Sequence, residues 1–120
     1  MRRVLALCVA LVVLSTIACD EPPATEPLAR GRQIYRKLDC GRCHFIDGQG
    51  GRLGPELTHI GTAAAGREAG MSAEDYVRES VTSPGAYVVP GYNDVMPRGL
   101  VRTLSPADLD ALVRFLAGHE

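Results

Sequence analysis

Tryptophan is absent from this 120-residue chain, phenylalanine occurs twice, and aromatics make up 5% of the residues. A single small domain, which is what this length allows, therefore lacks the bulky side chains that usually dominate a compact core. Lysine occurs once, as Lys37, and there is no run of basic residues. Nucleic acid is excluded as a partner on that ground, since its electrostatic footprint is missing. Beyond residue 18 there is no apolar run approaching the ~20 residues that a bilayer-spanning helix needs. Cysteine is also scarce: there are four, and Cys8 and Cys19 fall in the leader region, which leaves Cys40 and Cys43 as the only pair in the body of the chain. A single pair excludes a disulfide-stapled scaffold and suits an oxidising compartment.

The chain starts with a leader. Arg2-Arg3 forms a short positive region, followed by 15 apolar residues from Val4 to Ala18 ending in small side chains. This predicts a secretory signal peptide over residues 1–18, because the run is too short to span a bilayer comfortably. Thr16-Ile17-Ala18-Cys19 resembles the lipobox of bacterial lipoproteins, with Thr16 where leucine is usual. Cys19 is accordingly expected to be lipidated and to become the mature N-terminus. Ordinary cleavage after Ala18 and retention as an uncleaved anchor are the rival readings. Residues 19–27 follow as a Pro- and acid-rich tether, Asp20 to Pro27 carrying three prolines and three acids. Such a stretch cannot bury apolar surface, and at ~3 Å per residue it reaches roughly 25 Å. Removing Arg2 and Arg3 from the 13 basic residues, against 14 acidic ones, gives the mature chain a formal charge of −3.

The chemistry concentrates in Cys40-Gly41-Arg42-Cys43-His44. Two thiols three residues apart with a histidine directly after them read as an attachment site for c-type haem. Thiols at that spacing in a tight turn can form thioethers to the two vinyl groups along one porphyrin side, and the next residue then falls under the ring. His44 is the expected axial iron ligand. A large flat apolar cofactor would also supply the core that the side chains do not. Zinc needs two further ligands, for which His59 and His119 are the remaining histidines. A thioredoxin-like redox pair would need an alternating strand–helix pattern, and a plain Cys40–Cys43 disulfide would leave His44 without a role.

Helical patterns flank this motif, and the fold class is predicted as all-α. Leu28 to Leu38 reads as a helix with Leu28, Ile34, Tyr35 and Leu38 on one apolar face. Gly31 within it makes sense if another helix crosses closely. Residues 45–57 read as a glycine-rich loop with positions open to positive φ. Within that loop, Pro55 is the candidate carbonyl acceptor for the ring N–H of His44, as metal-bound histidines usually have such a partner. His59 is placed at the surface or the cofactor edge rather than on the metal. Ser72 and Asp75 cap a helix running to about Thr82, stopped by Ser83-Pro84-Gly85. Ser105-Pro106 opens the last helix, with Leu109, Leu112, Val113 and Leu116 as its inner stripe, Phe115 beside it, and Gly118 as its stop. Between these two helices runs a loop, residues 86–101, that is unusually apolar and long enough to suggest function. It can pack Tyr87, Val88, Val89 and Val95 on a cofactor face and offer the Met96 thioether as a second ligand. Met71, in a polar turn before a helix cap, is the weaker candidate.

The ordered set of Gly31 and Tyr35, Cys40, Cys43 and His44, Gly54-Pro55, Met96-Pro97, and Leu112 with Phe115 resembles the class I cytochromes c over roughly Leu28 to Gly118, within a domain expected over residues 28–120. The stretch from Tyr87 to Pro97 is similar to the cytochrome c domains fused to subunit II of some bacterial haem–copper oxidases, although no copper-binding domain is present here. The absent tryptophan and near absence of lysine depart from mitochondrial-type members. The resemblance implies three to five helices wrapped around one covalent haem c, with His44 and Met96 as axial ligands and Tyr87 and Val95 against the cofactor. The implied function is single-electron transfer, with no substrate chemistry, at the outer face of a bacterial cytoplasmic membrane or in the periplasm. Membrane redox complexes, an oxidase or a reductase, are the expected partners of a monomer or complex subunit. The alternative function is a haem enzyme or a gas or redox sensor with an openable distal site.

Overall fold

The computed structural model describes residues 24–120. The expected signal peptide, Cys19 and the expected tether up to residue 23 lie outside the described residues. Among the described residues, four α-helices and one minimal hairpin make up the regular structure, in keeping with the all-α class that the sequence predicts.

Helix α1 (Pro27–Lys37) begins on Glu26, whose carboxylate accepts from the Leu28 N–H at 3.1 Å, with Pro27 in the first turn. Proline fits there because its missing N–H would be unpaired anyway. Pro27, expected to be the last tether residue, is therefore the first helical one, and the Ala24 N–H is bound to the Gln33 side chain at 3.2 Å. Ala24, placed by the sequence in the expected tether, thus lies against the first helix. Gly31, Ile34 and Tyr35 are buried, whereas Leu28 is 54% exposed. Leu28 lies on the expected face, but in the turn ahead of the helix crossing, where none of the described elements covers it.

That crossing is with α4 (Pro106–Ala117), and it is the most extensive packing between elements of the fold. A Cβ at residue 31 would run into the Ala111 carbonyl oxygen and the Phe115 side chain, so only glycine allows the approach. Tyr35 meets Phe115 edge to face with ring centres 5.8 Å apart. Arg30 closes the contact with two hydrogen bonds to Asp108, at 2.8 and 3.1 Å.

After α1 the chain makes a 3-10 turn at Cys40–Arg42, then a two-residue hairpin, β1 (Phe45–Ile46) against β2 (Gln49–Gly50), with Phe45 opposite Gly50. Asp47 and Gly48 both have positive φ at its tip, the conformation that the twist of a tight hairpin favours. The hairpin thus stands where only a loop was expected, and helix α2 (Ile60–Ala64) lies in a stretch to which the sequence assigned no element. Helix α3 (Ala73–Thr82) has the expected cap, Ser72 Oγ accepting from the Asp75 N–H at 3.1 Å. Ser105 caps α4 in the same way through the Asp108 N–H. Gly118 ends α4 without turning left-handed, at φ −79°. The chain instead tightens into one more turn, His119 N–H to the Leu116 carbonyl at 3.0 Å. The buried core joins Ile34 and Tyr35 of α1, Ile60 and Ala64 of α2, Tyr76, Val77 and Val81 of α3, and Ala111, Leu112, Val113, Phe115 and Leu116 of α4. Leu109, expected in the inner stripe, is only partly buried at the edge of this cluster.

Candidate cofactor site

Asp39 adopts a left-handed conformation, φ 56°, and ends the α1 segment abruptly. The 3-10 turn that follows brings the Cys43 and His44 N–H groups back onto the Cys40 carbonyl, at 3.2 and 3.1 Å. Cys40, Cys43 and His44 are thereby set on one wall of a cavity of about 330 Å³. Both cysteines are free thiols.

The loop after the hairpin is tied to this wall by backbone hydrogen bonds from Gly51 to Gly41 and from Gly54 to Cys43, each 2.9 Å. It delivers the Pro55 carbonyl to His44 Nδ1 at 2.7 Å. A carbonyl only accepts, so Nδ1 carries the proton and Nε2 keeps its lone pair for a metal. Gly54 packs flat on the imidazole: a Cβ there would lie 2.5 Å from His44 Cε1 and 2.8 Å from Nδ1.

The other walls are mainly hydrocarbon. Tyr35 and Leu38 come from α1, Tyr76, Val77 and Val81 from α3, Leu116 from α4, and the long loop contributes Tyr87 through Val89 and Tyr92 through Pro97. Tyr87, Val95 and Met96, the loop residues expected at the site, all line the cavity. Val95 is 51% exposed and belongs to its rim. Met96 is partly buried on the core, while Met71 packs on the core outside the cavity lining. His59 points elsewhere, with Nδ1 3.0 Å from the Glu120 backbone oxygen. The described residues contain no group of three or more His, Cys, Asp or Glu able to hold a metal ion, so a zinc site at Cys40 and Cys43 has no ligand set among them.

Tyr76 and Arg67 are among the lining residues not foreseen as part of the site. Tyr76 packs edge to face on Tyr87, ring centres 5.9 Å apart. Arg67 donates to the Tyr76 hydroxyl at 3.2 Å and lies over its ring. Tyr76 carries the helical period that marks any core residue, and Arg67 sits in a turn without a motif, so neither had a distinguishing signal. Tyr35 also lines the cavity, and its hydroxyl is buried without a hydrogen-bond partner among the described residues.

The donor set fits a haem: an imidazole with its tautomer fixed, two thiols on the same wall, and an apolar chamber suited to a large flat ring. The family model for cytochrome c matches residues 28–120. None of the curated proteins matches the chain. The family match spans the whole of the fold described above, from the helix that crosses at Gly31 to the one it crosses. The chain belongs to the cytochrome c family, whose members carry electrons on a covalently attached c-type haem.

Proposed function

We propose that this chain is a monohaem electron carrier, bonded to its cofactor through Cys40 and Cys43, with His44 and Met96 as axial iron ligands. The observation that carries this reading is the 2.7 Å contact between His44 Nδ1 and the Pro55 carbonyl, which leaves Nε2 as the ring's one lone pair within a chamber that Met96 also lines. When bound, the haem supplies a one-electron Fe(III)/Fe(II) couple. The chain's residues tune and protect that couple. Pro55 holds the imidazole in one tautomer and orientation. The thioether of Met96, a neutral ligand, favours the reduced iron and raises the potential. The apolar walls of Tyr87, Val88 and Val89 limit water, which disfavours the more charged oxidised state.

The place of work in this proposal is the outer face of a bacterial cytoplasmic membrane. Its support is the leader, the lipobox-like Thr16 to Cys19, and a tether that reaches the domain at Ala24. Two or more acyl chains on Cys19 give stable attachment where one would not. Partners are membrane redox complexes, approached through the cavity rim, where Leu53, Val88, Val89 and Val95 lie beside Arg42.

The test of the ligand set is the Met-to-ferric charge-transfer band of the oxidised holoprotein. Met96→Ala is expected to abolish it and to lower the potential, and Met71→Ala to leave both intact. The reverse pattern would overturn the assignment. For the anchor, Cys19→Ser is expected to release a soluble haem-loaded domain or to block processing, and wild-type protein found in the periplasm without acyl mass would refute it.

A further inference from the structure

The segment carrying Met96 lies in residues 83–105, between α3 and α4, where there is neither helix nor strand. Its backbone hydrogen bonds are local: Ala86 to Ser83, Tyr92 to Val89, Val95 to Asn93, Arg102 to Gly99 and Leu104 to Val101. Each fixes one turn, and none ties the Met96 turn to the start of the loop. The Arg98 side chain makes that tie. Its Nη2 donates to Asp94 Oδ2 at 2.7 Å and its Nη1 to the Met96 carbonyl at 3.3 Å. The same guanidinium lies on the backbone at Gly85, the first turn after α3, so closely that a Cβ there would overlap Nη2. One planar cation thus bridges both flanks of Met96 and the start of the loop, and its fixed fork of donors suits that geometry better than an ammonium would.

We infer that Arg98, together with Asp94, is a positioning residue that sets how often the Met96 loop opens and therefore how readily the sixth iron position exchanges its ligand. The inference rests on the reading of Met96 as the axial ligand. Its physical basis is local stability. A loop held by few contacts opens without global unfolding, and an exogenous ligand that binds only the open form has an apparent affinity scaled by the open fraction. A charge-assisted bridge between exposed groups contributes modestly to that equilibrium. It nevertheless joins Asp94, the Met96 carbonyl and the backbone at Gly85 through one side chain, beside the packing of Tyr87 and Met96 on the core. Arg98 touches no reacting atom, so its action is on closure alone. Closure in turn keeps the protein on electron transfer and off small-molecule binding.

The experiment is an optical titration of the ferric holoprotein with imidazole, run on wild type, Met96→Ala, Arg98→Met, Arg98→Lys, Asp94→Asn and the double variant Asp94→Asn/Arg98→Met. Guanidinium unfolding of each serves as the readout of global stability. Arg98→Met and Asp94→Asn are expected to tighten apparent imidazole binding by about two- to five-fold, with unfolding midpoints close to wild type. Arg98→Lys should fall between wild type and Arg98→Met. The double variant should add little beyond the larger single effect, since both changes remove the same bridge. Unchanged imidazole affinity in both single variants, with Met96→Ala binding more tightly than wild type, would overturn the role given to Arg98 while leaving the ligand reading intact. Equal affinity in wild type and Met96→Ala would overturn the ligand reading, and the inference with it.

Discussion

Gly54 carries no side chain, and the seating of His44 depends on that. With a Cβ 2.5 Å from the ring carbon Cε1, the imidazole would have to leave its place under the Pro55 carbonyl. Gly54→Ala is therefore expected to reduce the haem-loaded fraction and to disturb axial ligation, seen as a shifted Soret band and a lower potential in whatever holoprotein forms. Normal yield and spectrum would show that the loop relaxes freely. Tyr35 makes the opposite case, a polar atom in excess. Its hydroxyl is buried without a partner, and burial pushes the phenol up to about 12. Leaving a buried donor unpaired costs on the order of 1–3 kcal/mol, so Tyr35→Phe is expected to stabilise the holoprotein by about 1 kcal/mol in guanidinium unfolding. A loss of stability would reveal that the hydroxyl finds a partner once the cofactor is in place.

The two ends of the fold meet where α1 crosses α4, and the Arg30–Asp108 bridge titrates. Its hydrogen bonds hold the Asp108 carboxyl below its ordinary 3.8. A depressed carboxyl stabilises the fold at pH values above its unfolded value, and that contribution disappears as pH falls through the folded value. Asp108→Asn should accordingly lower the unfolding midpoint at neutral pH and have little effect at about pH 2. A pH-independent effect would assign the loss to packing. Several of these elements were legible from local chemistry. Ser72 and Ser105 with Pro106 announce helix starts because a side-chain oxygen and a residue lacking N–H solve a problem of the first turn itself. Gly31 announced a crossing because glycine inside a helix needs a reason. Helix α2 was not legible, being five residues long and too short to display a period. The β1–β2 hairpin escaped for the same reason. Leu28 misled because periodicity assigns a face but cannot say how far along the helix its partner extends. At the site, the Cys40–Cys43–His44 spacing is dictated by covalent geometry and so is visible in sequence. Arg67 reaches the cavity only through tertiary placement and left no trace.

At the scale of the whole molecule, the surface around the cavity rim is mixed in character. Arg98 is neutralised locally by Asp94 at 2.7 Å, and Arg52 lies over the Phe45 ring, 4.3 Å from its centre. Leu53 and Val95 are more than half exposed. A rim of this kind offers apolar contact with weak electrostatic steering, and the proposed tether would supply high local concentration near the proposed membrane partner. Electron transfer to an oxidase or reductase is thus expected to change by less than about ten-fold between low and physiological salt. A loss of several hundred-fold in the second-order rate would require a strongly charged interface elsewhere on the domain.

All of this depends on a sixth iron position that the protein itself fills, which separates a carrier from a sensor or an enzyme. The direct measurement is carbon monoxide binding to the reduced holoprotein, followed optically in wild type and Met96→Ala. Wild type is expected to leave carbon monoxide unbound on the timescale on which Met96→Ala binds it fully. Prompt binding by wild type, equal to that of Met96→Ala, would contradict the account and establish an open distal site.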